Sequence, residues 1–312
     1  MKLASIDIGT NTVLMLIGQY EGENPEILSI NNFQSIPRIG KDVHHSGLIS
    51  NDKTDLLISI LKDYRKIANE SGVIKILASG TNALRTARNA AYIINKVKSE
   101  TGISINIIAP EDEALFSYFG AISGVAPEAN NMVIDIGGGS TEIITGNGKG
   151  VIASKSHQLG VVTLVEKYFR SQPPTEEHIN SSRDLIRAIV DKKMFNKFPI
   201  SNAIAIAGTP TTLACIKNNI NDFEEEKIHG SFLTISELQE LCLQLSNLTP
   251  DEILSNYKIS VGREDVIFAG TLILIEIMEI FRIEKVMVST KGLRYGAIQY
   301  YRFMNDGKYF GE

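Results

Sequence analysis

The chain has 312 residues, 43% of them apolar and 21% charged, with 25 glycines, 9 prolines and 2 cysteines. That length and balance suit two ordinary globular domains and exclude the disordered, collagenous and disulfide-stapled classes. With 36 acidic against 31 basic residues the net charge is −5, so no general positive field gathers nucleic acid and any anion must be captured locally. Cys215 and Cys242 have neither metal nor disulfide spacing and read as small reduced thiols packed among apolar neighbours in a cytoplasmic protein. Asp7 interrupts the first apolar run too early for a signal peptide, and the most apolar stretch, 266–275, falls far short of ~30 Å of hydrocarbon. Neither export nor a membrane is expected.

Segment 7–18, DIGTNTVLMLIG, aligns without a gap on 135–146, DIGGGSTEIITG. Each copy reads as an apolar strand ending in Asp, a turn of Gly and hydroxyl residues, and a second apolar strand, hence a β-hairpin with an exposed tip. The repeat predicts two related α/β halves. Between the copies, Leu56, Leu57, Ile60, Leu61, Tyr64 and Ile67 predict an amphipathic helix over 52–71. A strand over 74–78, a polar turn at 79–82 and a helix opening at Ala83 form the strand–turn–helix arrangement that cradles anions. A strand over 103–108 leads through Ala109 and Pro110 into a helix begun by Glu111, Asp112 and Glu113. After the second hairpin the chain turns mostly helical, with helices over 161–169, 176–191 and 237–245. A further strand over 203–207 precedes Gly208, Thr209 and Pro210, with Pro where a first helical turn tolerates it. A helix over 263–281, a strand over 285–289 and a helix near Arg294 complete an α/β alternation. The halves divide near residue 120.

The two hairpin turns are candidate phosphate cradles, because glycine lets backbone N–H groups approach an anion that a Cβ would obstruct. The first turn offers Gly9, Thr10, Asn11 and Thr12 after Asp7; the second offers Gly137, Gly138, Gly139, Ser140 and Thr141 after Asp135. Gly208 and Thr209 join them as candidate phosphate contacts. A hairpin folds Glu142 back toward Asp135, so the two could share a hard divalent ion, and Mg²⁺ suits one or two carboxylates with several waters. The first copy has Leu14 at the matching position, so a metal belongs to the second hairpin; on its own, Glu142 reads as a solvated acid on an edge strand. Arg85 and Arg88 lie one turn into the helix after Thr81, and Arg85 could fork onto a terminal phosphate. The acids Glu111, Asp112 and Glu113 need do no more than complement their helix dipole, although one could direct water as a general base; spacing does not choose which. His44 and His45, facing apart in a strand or loop, make no zinc site, and no G-x-S-x-G elbow supports a serine hydrolase.

In order from Ser5 to Gly296, the segments SIDIGTNT, PRIGKDVHHSGLIS, GTNALRTARN, EDEALFSYFGAISG, VIDIGGGSTE, AGTPTTLA, GREDVIFAG and VSTKGLRYG resemble the exopolyphosphatase and guanosine pentaphosphate phosphohydrolase family. The resemblance implies a duplicated actin-like, sugar-kinase-like (ribonuclease H-like) α/β fold, with domains 1–120 plus 296–312 and 121–295 flanking a cleft. It implies Mg²⁺-assisted hydrolysis of the terminal phosphoanhydride of polyphosphate or guanosine pentaphosphate, and a homodimer. By position it makes Glu113 the catalytic acid residue, Arg85 its catalytic companion, and Asp135 and Glu142 the essential acids of the second hairpin. Thr10 and Thr12 replace family serines and keep their hydroxyls. Ala109 and Pro110 stand where the family has Ser-Gly, and Asp112 where it has Glu, which bears on the placement of the base. Thr290 and Tyr295 replace acids near Lys291 and Arg294, which is expected to make that turn more positive. The sequence stops at 312, without the C-terminal helical domains that help longer members bind long polyphosphate, so the resemblance leaves processive action open. Two other functions suit the same fold: an ATP-dependent kinase or ATPase, since 207–214 lies where relatives of the broader fold hold adenosine, and a non-catalytic sensor of guanosine tetraphosphate.

Overall fold

A computed structural model describes residues 1–21, 27–125, 128–195, 198–221, 224–257 and 259–306. The chain opens with β1 (Lys2–Ile8), β2 (Val13–Gln19), β3 (Leu28–Ser35), α1 (Val43–Ser46), α2 (Asn51–Glu70), β4 (Lys75–Gly80), α3 (Asn82–Thr86), α4 (Ala90–Thr101), β5 (Ile105–Ile107) and α5 (Pro110–Ala121). Its sheet runs β3-β2-β1-β4-β5, antiparallel through the first three strands and parallel from β1 to β5. β1 alternates between two apolar layers: Ala4, Ile6 and Ile8 join the core that includes α2 and α4, while Leu3 joins a separate cluster on Leu16. A sheet covered on both faces explains why its central strands read as nearly continuous apolar runs.

Ser50 caps α2 by accepting from the Lys53 N–H at 3.3 Å, and the helix buries Thr54, Leu57, Ile58, Leu61, Tyr64 and Ala68. This stripe is rotated from the predicted one. Leu56 is left exposed because the repeat that meets the sheet starts at Thr54 and recurs every three or four residues. His44 and His45 lie in the single turn α1 with their rings in edge contact, rather than in an extended segment.

The second half contains β6 (Asn131–Ile136), β7 (Thr141–Asn147), β8 (Gly150–His157), α6 (Val161–Tyr168), α7 (Glu176–Ile189), β9 (Asn202–Ile206), α8 (Gly208–Lys217), α9 (Glu225–Ile228), β10 (Phe232–Thr234), α10 (Ile235–Leu245), α11 (Pro250–Tyr257), α12 (Ile267–Phe281) and β11 (Lys285–Val288). Its sheet runs β8-β7-β6-β9-β11-β10. Setting aside the short edge strand β10, this repeats the first sheet strand for strand, with an antiparallel β6-β7-β8 meander and parallel neighbours β9 and β11. The duplication extends well past the matching hairpins. The second half is also richer in strand than predicted. α12 is buried on nearly every side, which marks a central helix; its one fully buried acid, Glu276, is held by Arg183 and Arg187 of α7. Among the described residues no helix is long and apolar enough to cross a membrane. Cys242 is buried, Cys215 only partly so, and neither is bridged; burial pushes the Cys242 thiol up to about 11.

α13 (Leu293–Asp306) returns to the first sheet, where Tyr295 and Ile298 pack on Leu3 and Leu16. Tyr295 is thus a core residue, 1% exposed. By contacts the chain forms two compact units, Met1–Gly124 with Gly292–Glu312, and Val125–Lys291.

Between β9 and α8, Ala207 has φ 74° and ψ −165°, a region that belongs almost solely to glycine and costs about 1–3 kcal/mol for other residues. Ala207→Gly is therefore expected to raise the thermal midpoint by roughly 2–4 °C, after the extra unfolded-state freedom of glycine is subtracted. A lowered midpoint in a thermal melt would show that the Ala207 methyl contributes more through packing than its backbone strain costs.

Candidate active site

The two hairpin turns share one geometry. The Gly9 N–H donates to the Thr12 carbonyl at 2.9 Å, and the Gly137 N–H donates to the Ser140 carbonyl at 2.9 Å. Their tips are not exposed, contrary to the sequence expectation: Thr10, Asn11 and Ser140 are all buried. In the first unit the cover is the segment after β3, where the Arg38 N–H donates to Asn11 O (3.0 Å) and the Gly40 N–H to Thr10 O (2.9 Å). In the second unit it is the start of α6, where the Val161 and Val162 N–H groups donate to Gly137 O (3.0 Å) and Gly138 O (2.8 Å). Because a peptide is planar and trans, a carbonyl drawn onto the cover turns the next N–H the opposite way. The N–H groups of Asn11 and Thr12, and of Gly138 and Gly139, are thereby aimed away from the covers as donor pairs suited to an anion. Both covers demand glycine for close approach: a Cβ on Gly160 would overlap the Gly138 carbonyl and the Gly139 nitrogen, and one on Gly40 would overlap the Thr10 methyl. Neither glycine was singled out from the sequence, because each acts on a turn distant along the chain.

In the first unit, three adjacent parallel strands deliver the chemistry from their carboxyl ends. β1 ends at the Gly9 turn, β4 at Thr81, and β5 at Ile108, whose N–H donates to Gly80 O at 3.1 Å. Thr81 is tied to β1 through its own N–H, which donates to Ile8 O at 3.2 Å. The sequence suggested an anion cradle on the following helix. That helix, α3, is a single turn, too short to carry a useful dipole, so what it contributes is the position of Arg85. Arg85 Nη1 donates to Ile108 O (2.9 Å) and to Glu113 Oε2 (2.6 Å). Of the three acids opening α5 only Glu113 is buried; Glu111 and Asp112 are exposed, where they suit the helix dipole. Burial pushes the Glu113 carboxyl above the usual carboxylate range, and the Arg85 guanidinium pulls the other way. Arg88 lies beyond α3, exposed, and donates to Ser46 O at 2.9 Å.

At the ends of these same strands, buried polar atoms stand without protein partners: Thr10 Oγ1, both amide atoms of Asn11, and Arg85 Nη2. Native interiors leave few such atoms, and their clustering by one turn and one guanidinium is what a site for a polar ligand presents. Nearby, Lys53 donates to Pro37 O at 2.6 Å; burial, then Lys41 and Arg38, lower its ammonium pKa, so positive charge is crowded on the segment covering the first turn.

In the second unit the acids lie side by side. Asp135 and Glu142 are directly opposed across β6 and β7, so their side chains share a face about 5 Å apart at Cβ. Glu142 is buried on an interior strand, not solvated on an edge, and Ser156 Oγ donates to its Oε1 at 2.6 Å. Two hard carboxylates on one face fit a Mg²⁺ that keeps most of its shell as water; among the described residues no larger cluster of potential metal ligands occurs. In the first unit the partner of Asp7 is Leu14, and no acid pair forms. Thr141, next to Glu142, points to the opposite face and donates to Leu159 O at 2.6 Å, so its hydroxyl braces the loop instead of facing a ligand. Gly208 lies under the Arg263 guanidinium, while the Thr209 side chain packs against Gly270 of α12; Thr209 is a packing residue. Thr290, an expected site of altered charge, bonds His229 Nδ1 through its N–H and hydroxyl, both at 3.3 Å.

Comparison with known proteins agrees with this architecture. The sequence pattern of the Ppx/GppA phosphatase family matches residues 20–301. A bifunctional 3-dehydroquinate synthase/phosphatase of Fusobacterium nucleatum is 34% identical over 307 residues, which cover 95% of this chain but 46% of that protein. Exopolyphosphatase 2 of Mycobacterium tuberculosis is 27% identical, covering 88% of this chain and 89% of its own length. The crystal structure of the Aquifex aeolicus family member superposes with a TM-score of 0.82 at 30% identity, covering 98% of this chain and 99% of that one. Matched in sequence along most of its length and in fold along nearly all of it, the chain, with its two duplicated α/β units, belongs to the Ppx/GppA phosphatase family.

Proposed function

We propose that the chain releases the terminal phosphate of inorganic polyphosphate or of guanosine pentaphosphate. Phosphoanhydride hydrolysis as a class follows from family membership; the substrate and the roles of residues are inferred. The observation that carries the reading is the buried Glu113–Arg85 pair beside unpartnered donors on Thr10, Asn11 and Arg85. In this scheme the turn N–H groups and Arg85 Nη2 hold oxygens of the terminal phosphate. Glu113 Oε takes a proton from water as the water oxygen attacks phosphorus and the bridging oxygen departs with the shortened chain. Phosphoryl transfer asks for positioning and charge neutralisation more than covalent chemistry, and a buried site makes both more effective. Asp135 and Glu142 would hold Mg²⁺, which when bound supplies charge neutralisation on phosphate oxygens.

The reading is tested by phosphate release from polyphosphate, guanosine pentaphosphate and ATP with acceptor alcohols, each with Mg²⁺ or chelator. Release from the first two only, abolished by chelator, is expected. Phosphate transfer from ATP to an acceptor would replace hydrolysis with kinase chemistry, and tight guanosine tetraphosphate binding without turnover would make the chain a sensor.

A further inference from the structure

The second hairpin is extended by a third strand, and this places a residue with no assigned role against the acid pair. Across β6, β7 and β8 the register sets Asp135 opposite Glu142 and Glu142 opposite Ser156, so the three side chains form one row on one face of the sheet. The equivalent row in the first unit is Asp7, Leu14 and Gln34. A hydroxyl therefore stands third in the row only where an acid stands second. Ser156 Oγ lies 2.6 Å from Glu142 Oε1, within the range of a charge-assisted O–H···O⁻ bond, and Glu142 is 2% exposed. A long, rotatable carboxylate buried at a sheet surface needs a fixed donor to hold one orientation, and Ser156 is short, comes from a different strand and is anchored by that strand's ladder.

We propose that Ser156 is a positioning residue: it fixes the Glu142 carboxylate in the orientation in which Glu142 and Asp135 jointly bind a divalent cation. The inference rests on the proposed metal role of that acid pair. Outer-shell donors of this kind typically govern metal affinity by 10- to 100-fold.

The experiment measures Mn²⁺ binding by electron paramagnetic resonance in wild type, Ser156→Ala, Ser156→Thr and Glu142→Gln, alongside the Mg²⁺ dependence of turnover and the thermal midpoint. Ser156→Ala is expected to weaken Mn²⁺ by roughly 10- to 100-fold and to raise the Mg²⁺ concentration needed for half-maximal rate. At saturating Mg²⁺ its KM should match wild type, and Ser156→Thr should restore most of the affinity because it keeps the hydroxyl. If Ser156→Ala binds Mn²⁺ as wild type does while Glu142→Gln does not, Ser156 is not a positioning residue and the acid pair still holds metal. If Glu142→Gln binds Mn²⁺ unchanged, the metal reading of the pair fails first. Should Ser156→Ala not fold, Ser156→Cys, nearly the same size with a weak donor, must show the loss; full affinity there overturns the proposal.

Discussion

Glu113→Gln is expected to lower kcat by ~10²- to 10⁴-fold, the usual contribution of a general base, with substrate affinity little changed. Gln keeps the size of Glu and an oxygen to accept from Arg85, whose second bond, to Ile108 O, does not depend on residue 113. Single-turnover phosphate release with a parallel phosphate-binding titration separates chemistry from binding; wild-type release by the variant would remove Glu113 from the mechanism. The environment of this carboxylate also predicts a pH profile. A base works ionised, so its activity is lost as pH falls through its pKa, and burial holds that pKa above the ordinary range. The acid limb of kcat/KM should lie higher than an exposed Glu would give. Arg85 opposes the upward shift, so Arg85→Met should move the limb to still higher pH as well as weakening phosphate binding. A limb that stays in place or moves to lower pH would show that Glu113 is not the titrating base.

Gly160→Ala should damage both activity and stability, although Gly160 is not one of the proposed reacting groups. Its Cβ would fall on the backbone of Gly138 and Gly139, and backbone has no rotamer through which to yield. Either the first turn of α6 or the 137–140 turn must shift, and that turn, held by the Val161 and Val162 N–H groups, moves with whatever holds it. Overpacking of this kind costs about 1–3 kcal/mol of stability, and a displacement near 1 Å at a reacting group costs on the order of 10²-fold in rate. Both kcat/KM and the thermal midpoint should fall. Gly40→Ala, which meets the Thr10 side chain first, should do less, since a side chain can turn aside. Equal activity of wild type and Gly160→Ala would mean that the second turn does not touch substrate.

The hairpins were legible because everything that makes them is local: apolar runs, a terminal Asp, and a turn rich in glycine. The edge strands β3 and β8 were not. Leu28–Ser35 and Gly150–His157 mix polar and apolar residues on both faces, so neither shows the alternation that marks a half-buried strand, and Ser156 was overlooked with its strand. The choice among Glu111, Asp112 and Glu113 could not come from spacing either, since what separates them is burial beside an arginine from another element; the family resemblance pointed to Glu113, and the geometry gives that choice a physical reason. Burial of the turn tips was likewise hidden, because the covering residues, 38–40 and 160–162, are specified elsewhere in the chain. Thr141 reads with the turn in sequence because it follows Ser140, yet it is the first residue of β7 and its face is set by the strand.

The return of α13 to the first unit has a consequence for biosynthesis. Leu3 and Leu16, made before the second unit, find Tyr295 and Ile298 as neighbours only after the entire second unit has left the ribosome. Domains generally fold as units during translation, so the later-made unit, being contiguous, can finish while the earlier one still shows a bare apolar layer. The order of completion runs opposite to the order of synthesis, and a nascent chain halted before Leu293 should be the form most in need of a chaperone.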